Sequence, residues 1–155
     1  MEARTILIAD DNQSDVLLLQ RLFRQARILN PVQVVQDGED AICYLKGEGR
    51  YTDRARFPFP VLLLLDLKMP KPGTKVLAWL NQNPSIRPLA AVVMTDGSNV
   101  AEIQEAYNLG AHSFLMKPLN QEDFLNLTRG LKGIKLTSAP EGHVLDFSDG
   151  GESPT

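Results

Sequence analysis

Short apolar runs alternate with longer amphipathic stretches five times along this chain, and that rhythm constrains the fold more than any single residue does. "RTILIAD" (residues 4–10) reads as a strand and "SDVLLLQRLFRQA" as a helix whose leucines and Phe23 make one apolar face, capped by Ser14 or Asn12. "VQVVQ" (32–36) is a short strand, and "EDAICYLKG" is a helix stopped near Gly47. A polar connection, "EGRYTDRARFPFP", leads to the strand "VLLLLD", after which "KVLAWLNQ" is helical and "LAAVVMT" (89–95) is a strand. The helix "NVAEIQEAYNLG", the strand "HSFLMK" and the helix "QEDFLNLTRGLKG" complete the pattern. Strands and helices in strict alternation predict a doubly wound α/β sandwich: a five-stranded parallel sheet, right-handed crossovers and helices on both faces.

The stretch "VLLLLDLKMP" (61–70) carries the functional question, because it ends a leucine run in an ionisable carboxylate, Asp66. A run without polar alternation suits a strand covered on both faces, although periodicity alone does not exclude a buried helix. Pro70 and Pro72 decide for the strand, since they break a helix and mark a loop. Asp66 then stands at the carboxyl end of a central strand, the edge where open α/β sheets place their ligands.

With 155 residues and 43% hydrophobic composition, the chain forms one domain with one full core. A net charge of -3 with mixed signs gives no basic stripe, so direct nucleic-acid binding is not expected. Cys43 has no partner for an internal disulfide and reads as a small core residue. His112, His143 and one cysteine are too few for a zinc-type site. No stretch resembles a signal peptide or spans a bilayer, so a cytoplasmic protein without membrane contact is expected. From residue 136 the periodicity is lost, and 136–155 is expected to be a flexible tail.

The carboxyl ends of the strands form one surface in such a fold. The first ends in Asp10 and Asp11, the third in Asp66, the fourth in Thr95, and the fifth in Lys117 followed by Pro118. Clustered like charges raise one another's proton affinity unless a cation neutralises them. Mg²⁺ suits such a set, being a hard cation that takes one or two carboxylates and completes its shell with water and phosphate oxygens. An aspartate beside Mg²⁺ and a lysine is a plausible nucleophile toward a phosphoryl donor, with Thr95 placed to hydrogen-bond a phosphoryl oxygen.

"IADDN", "LLLDLKMP", "VVMT" and "FLMKPL" resemble, in this order, the receiver domains of two-component response regulators. The resemblance covers residues 4 to about 133 and implies a flavodoxin-like (βα)5 fold, with strand order 2-1-3-4-5, over a receiver domain at 1–135 and no output domain after it. It implies that Asp66 is the phospho-acceptor, and that Asp10, Asp11, Asp66 and the backbone carbonyl of Lys68 hold Mg²⁺. Thr95 and Lys117 would contact the phosphoryl group, and Phe114 would turn inward as Thr95 moves. "DNQSDVLLLQRLFRQA" and "YLKGEGRY" look most like stand-alone receivers paired with bacterial phytochrome-type histidine kinases. The expected protein is thus a signalling phospho-acceptor with its own acyl-phosphate chemistry, not a metabolic enzyme. It takes its phosphoryl group from a sensor histidine kinase and signals through an unnamed downstream protein, with a homodimer left open. The output surface would be the fourth helix, fifth strand and fifth helix.

Two departures from the family pattern stand out. Receivers usually follow Met-Pro with two residues and Asp-Gly, whereas "MPKPGTKVL" brings Gly73 in one residue early. Asp96 follows Thr95 where a small residue is common, and either helps to start the fourth helix or modulates the pocket by its charge. Phe114 could equally be a plain core aromatic, Trp79 reads as helix packing, and His112 only begins the last strand. A haloacid-dehalogenase-like phosphatase needs an aspartate two positions past the nucleophile, where Lys68 stands. An FMN-binding flavodoxin needs a phosphate-cradling loop where "ADDNQSD" offers carboxylates. A receiver kept as an unphosphorylated binding scaffold is the third alternative.

Overall fold

The structure, a computed structural model, describes residues 4–85 and 89–148. Strands β1 (Thr5–Ala9), β2 (Val32–Val35), β3 (Pro60–Asp66), β4 (Ala90–Thr95) and β5 (Ser113–Met116) form one parallel sheet in the order β2-β1-β3-β4-β5. Helices α1 (Gln13–Gln25), α2 (Gly38–Lys46), α3 (Gly73–Gln82), α4 (Val100–Asn108) and α5 (Gln121–Gly130) alternate with them. The expected doubly wound sheet is therefore the observed one.

β3 explains why its sequence shows no polar alternation. Successive side chains of a strand point to opposite faces. Leu62 and Leu64 enter a core with Leu19, Leu22 and Phe23 of α1 and Phe124 of α5. Leu63 and Leu65 enter a second core with Tyr44 of α2, Val76 and Leu77 of α3, and Ala106 of α4. Both faces are covered, so all seven β3 residues are buried, and Asp66 comes at the end of that dry column.

Local signals set most helix ends. Asn12 caps α1 by accepting from Asp15 N, and Ser14 does not. Asp37 caps α2, which closes on Gly47 in the left-handed region at φ 71°. The apolar face of α1 is narrower than its leucines suggest: Leu17 and Leu18 are 64% and 57% exposed, since at 100° per residue they fall off the Leu19–Leu22–Phe23 stripe. The early Gly73 starts α3 directly, and a Cβ there would lie 2.6 Å from the Asp66 carbonyl oxygen, so the short loop presses backbone on backbone. The long connection after α2 is packed. Arg54 donates to the carbonyls of Tyr44, Leu45 and Phe57 at 2.8, 2.8 and 3.0 Å, beside the clustered rings of Tyr44, Tyr51 and Phe57. Cys43 and Trp79 are half-buried against the second core, as a packing role requires. His112 precedes β5 and extends its ladder with its own ring, Nδ1 accepting from Ala91 N at 3.1 Å.

The expectation of a structureless tail is corrected over residues 136–148, and residues 149–155 lie outside the described residues. After α5 stops at Gly130, the chain forms an antiparallel hairpin, β6 (Ile134–Ala139) and β7 (Gly142–Phe147). Only every third residue or so of β7 faces inward, too sparse a pattern to read without its docking surface. Leu145 is fully buried in the first core, with Ile134 beside it. Asn30, 5% exposed, pairs with β7 like a strand residue: it donates to the Arg4 and Leu145 carbonyls at 2.7 and 2.8 Å and accepts from Leu145 N at 2.8 Å. Arg4 adds an ion pair to Asp146 at 3.2 Å. The receiver boundary at 135 therefore falls inside a hairpin built onto the domain.

Candidate functional site

The carboxyl ends of β1, β3, β4 and β5 open into a cleft of about 430 Å³ lined by Asp11, Asp15, Asp66, Thr95, Asp96 and Lys117, among others. Asp10 directly follows β1 and is 1% exposed, and Asp66 ends β3 and is 6% exposed. Asp11 is exposed at the rim. Carboxylate oxygens of Asp10, Asp11 and Asp66 all lie within 4.8 Å of one another. Parallel pairing of β1 with β3 produces this convergence by setting Ala9 level with Leu65, so that Asp10, just past β1, comes beside Asp66.

Lys117 follows β5 and is joined by a cis peptide to Pro118. Its N–H donates to the Thr95 carbonyl at 2.7 Å, which fixes the lysine beside the end of β4. Its ammonium reaches Asp15 Oδ2 at 2.7 Å, Asp10 Oδ2 at 3.3 Å and Asp66 Oδ2 at 3.7 Å. Burial works to lower the Lys117 pKa, but the hydrogen bond to Asp15 and the charges of Asp66, Asp10 and Asp15 outweigh it and raise the pKa above the ordinary lysine value. Asp10 is shifted upward as well, for a different reason. Burial first, then the charge of Asp66, raise its pKa above the ordinary carboxylate value, against the opposing Asn12 N–H and the Lys117 charge. One ammonium does not neutralise this set, and a hard divalent cation bound by oxygen donors fits it.

Around this centre, Lys68 N donates to Asp66 Oδ1 at 3.2 Å, so the backbone just past β3 turns back over the carboxylate. The Lys68 ammonium reaches outward to Asp96 Oδ2 at 3.2 Å and Ser98 Oγ at 2.8 Å. Thr95, 8% exposed, accepts from Gly97 N at 3.0 Å. Asp96 does not cap α4: Asn99 does, by accepting from Glu102 N, while Asp96 accepts from Ser98 N in the preceding turn. The hydrogen bonds from Ser98, and then Lys68, hold the Asp96 carboxyl well below the usual carboxylate range. Phe114 is not brought to the carboxylates. It stands on the outer side of β5, 38% exposed, with its ring edge-on to Tyr107 at 5.9 Å.

Sequence reasoning placed Asp10, Asp11, Asp66, Thr95 and Lys117 at one edge and missed Asp15, the closest partner of Lys117. Asp15 sits in the first turn of α1, where an acid is ordinary for any helix, so only the fold shows that this turn faces Lys117.

An open parallel sheet with clustered aspartates and a lysine at its carboxyl edge suits phosphoryl chemistry assisted by a divalent cation. Residues 6–129 match the model of the response regulator receiver domain, and the chain belongs to that family. It is 31% identical over 134 residues to response regulator Rcp1 of Synechocystis sp., over 86% of this chain and 89% of that protein. The Mn²⁺-bound crystal structure of Rcp1 superposes with a TM-score of 0.67, covering 82% of this chain and 90% of that one. RPA3017, a response regulator in red light signalling of R. palustris, is 35% identical with a TM-score of 0.71, over 81% of this chain and 89% of that one. The phosphorylated cyanobacterial phytochrome response regulator RcpA is 29% identical with a TM-score of 0.69, over 83% and 90%. Nothing among these relatives supports the phosphatase or the unphosphorylated-scaffold reading, and the chain is a two-component signalling protein of the kind that pairs with histidine kinases. Among the described residues, no helix is long and apolar enough to cross a membrane.

Proposed function

We propose that this chain accepts a phosphoryl group on Asp66 from a sensor histidine kinase in a Mg²⁺-dependent reaction. The observation that carries the reading is the position of Asp66: a nearly buried carboxylate whose oxygens lie within 4.8 Å of those of Asp10 and Asp11, with the Lys117 ammonium 3.7 Å away. An Asp66 carboxylate oxygen attacks the phosphorus of a phosphohistidine; the new P–O bond forms as the P–N bond breaks, and the imidazole leaves with the electron pair and takes a proton. Asp10, Asp11, Asp66 and the Lys68 carbonyl would hold the Mg²⁺, which would offset the negative charge gathered on the transferring group. Lys117 supplies a second positive charge to that group, and the Thr95 hydroxyl gives up Gly97 N to hydrogen-bond a phosphoryl oxygen. Phe114, edge-on to Tyr107 on the outside of β5, would turn inward once Thr95 moves and so alter the α4–β5–α5 face that a downstream protein reads.

The red light signalling of RPA3017 and the phytochrome in the name of RcpA favour a phytochrome-type kinase as the donor; a cytoplasmic reaction is part of the same proposal. The same pocket would also catalyse loss of the phosphoryl group to water, which makes the chain a timed switch. Incubation with Mg²⁺ and acetyl phosphate, with acyl phosphate mapped by mass spectrometry, tests the assignment. Label should fall on Asp66, require Mg²⁺ and vanish in Asp66→Asn. Full labelling of that variant would sink it.

A further inference from the structure

The shortest contact of the Lys117 ammonium is to Asp15, at 2.7 Å, whereas Asp66 is 3.7 Å away. Asp15 is the third residue of α1, its N–H held by the Asn12 cap, so its carboxylate leaves a fixed helix turn 31% exposed. An acid in a first turn would stabilise the helix dipole without any partner. Here it also competes for a specific cation. Lys117 is the ion-pair partner of both Asp10 and Asp66 among the described residues, through Oδ2 in each case. An ammonium seated squarely on those oxygens would take the positions that a divalent cation needs.

We infer that Asp15 is a positioning residue that draws the Lys117 ammonium to the edge of the acidic cluster, where it touches Asp10 but does not close over Asp66, and thereby leaves Asp66 open to Mg²⁺. This rests on the proposed reading of Asp10, Asp11 and Asp66 as the metal site. Without the Asp15 carboxylate, Lys117 swings inward onto Asp66 as well as Asp10 and neutralises the pair, so Mg²⁺ must displace it to bind. Loss of one negative charge nearby would also weaken the metal, but that effect does not depend on Lys117, and the two are separable.

The experiment is a calorimetric Mg²⁺ titration of wild type, Asp15→Asn, Asp15→Glu, Lys117→Met and the double variant Asp15→Asn/Lys117→Met, each checked for folding by thermal melting. Asp15→Asn should weaken Mg²⁺ about tenfold, the low end of what partners of metal-site side chains contribute. Asp15→Glu should recover much of the loss. In the Lys117→Met background, Asp15→Asn should change affinity far less. An equal fall with and without Lys117 would overturn the inference, because Asp15 would then act by its charge alone, and so would an unchanged affinity in Asp15→Asn. An Asp11→Ala titration separates the two layers. If Asp11→Ala binds Mg²⁺ as wild type does, the metal-site reading fails and takes the inference with it. If Asp11→Ala is weakened but Asp15 and Lys117 are uncoupled, only the inference fails.

Discussion

Asp10 is the residue whose burial has the plainest thermodynamic consequence. Its raised pKa, caused first by desolvation and then by Asp66, means that the folded protein keeps a proton there at pH values where the unfolded chain has lost it. Stability therefore falls as pH rises from the ordinary carboxylate value through the raised one, and the penalty persists above that interval. In Mg²⁺-free buffer at pH 7, Asp10→Asn should raise Tm, by about 2–4 °C for each kcal/mol relieved, and the gain should shrink as pH falls toward the ordinary carboxylate range. Melting curves across pH, with and without Mg²⁺, check it; a variant less stable than wild type at neutral pH would contradict it. Asp96 gives a kinetic counterpart. It lies on the cleft wall, paired with Lys68, and its removal leaves that ammonium without a counter-charge, held only by the neutral Ser98 hydroxyl and able to attract an anionic donor. Asp96→Ala should phosphorylate faster from acetyl phosphate and hold the phosphoryl group at least as long. The rate gain should be larger at low salt, where exposed charges are less screened. A slower variant would show that the carboxylate assists metal or donor binding.

At the scale of elements, Asn30 is one of the ties that hold the β6–β7 hairpin to the domain, beside the backbone bonds of His143 to Arg27 and Leu29. Asn30 supplies both hydrogen-bonding groups that Leu145 would otherwise seek from a neighbouring strand. Asn30→Ala leaves the buried Leu145 N–H and carbonyl unpaired and should cost about 2–6 kcal/mol, since each unsatisfied buried group costs about 1–3 kcal/mol. Urea unfolding gives the loss, and limited proteolysis should show wild type resistant through residue 147 while the variant is cut within the hairpin. Equal resistance would mean that Leu145 packing and the backbone pairing of His143 hold it without Asn30. The connection between α2 and β3 is held in a similar way: the Arg54 guanidinium bridges three carbonyls, so its length does not make it loose.

For the whole molecule, sheet order and the acidic cluster are one fact, because the carboxylates meet only where β1 and β3 lie side by side. Any ligand that binds only the folded state stabilises it, by about 2.7 kcal/mol at a hundred times its Kd. Saturating Mg²⁺ should accordingly raise the Tm of wild type, and Asp11→Ala should lose most of that rise; equal shifts in the two proteins would remove Asp11 from the site. The alternation of apolar runs and the prolines after "VLLLLD" determined the five βα units. The carboxylate, hydroxyl and ammonium at the strand ends were legible because a strand end is a position that local pattern can specify. Contacts between segments distant in sequence were not. Asp15 meets Lys117 across 102 positions, and Asn30 meets Leu145 across 115. A first-turn acid and a loop asparagine look the same in any chain until the fold supplies their partners. The sparse apolar residues of 136–147 read as a tail because the surface that makes Leu145 a core residue is built by the rest of the first core. Local periodicity records which way a residue faces along its own element, and only tertiary packing decides what it faces.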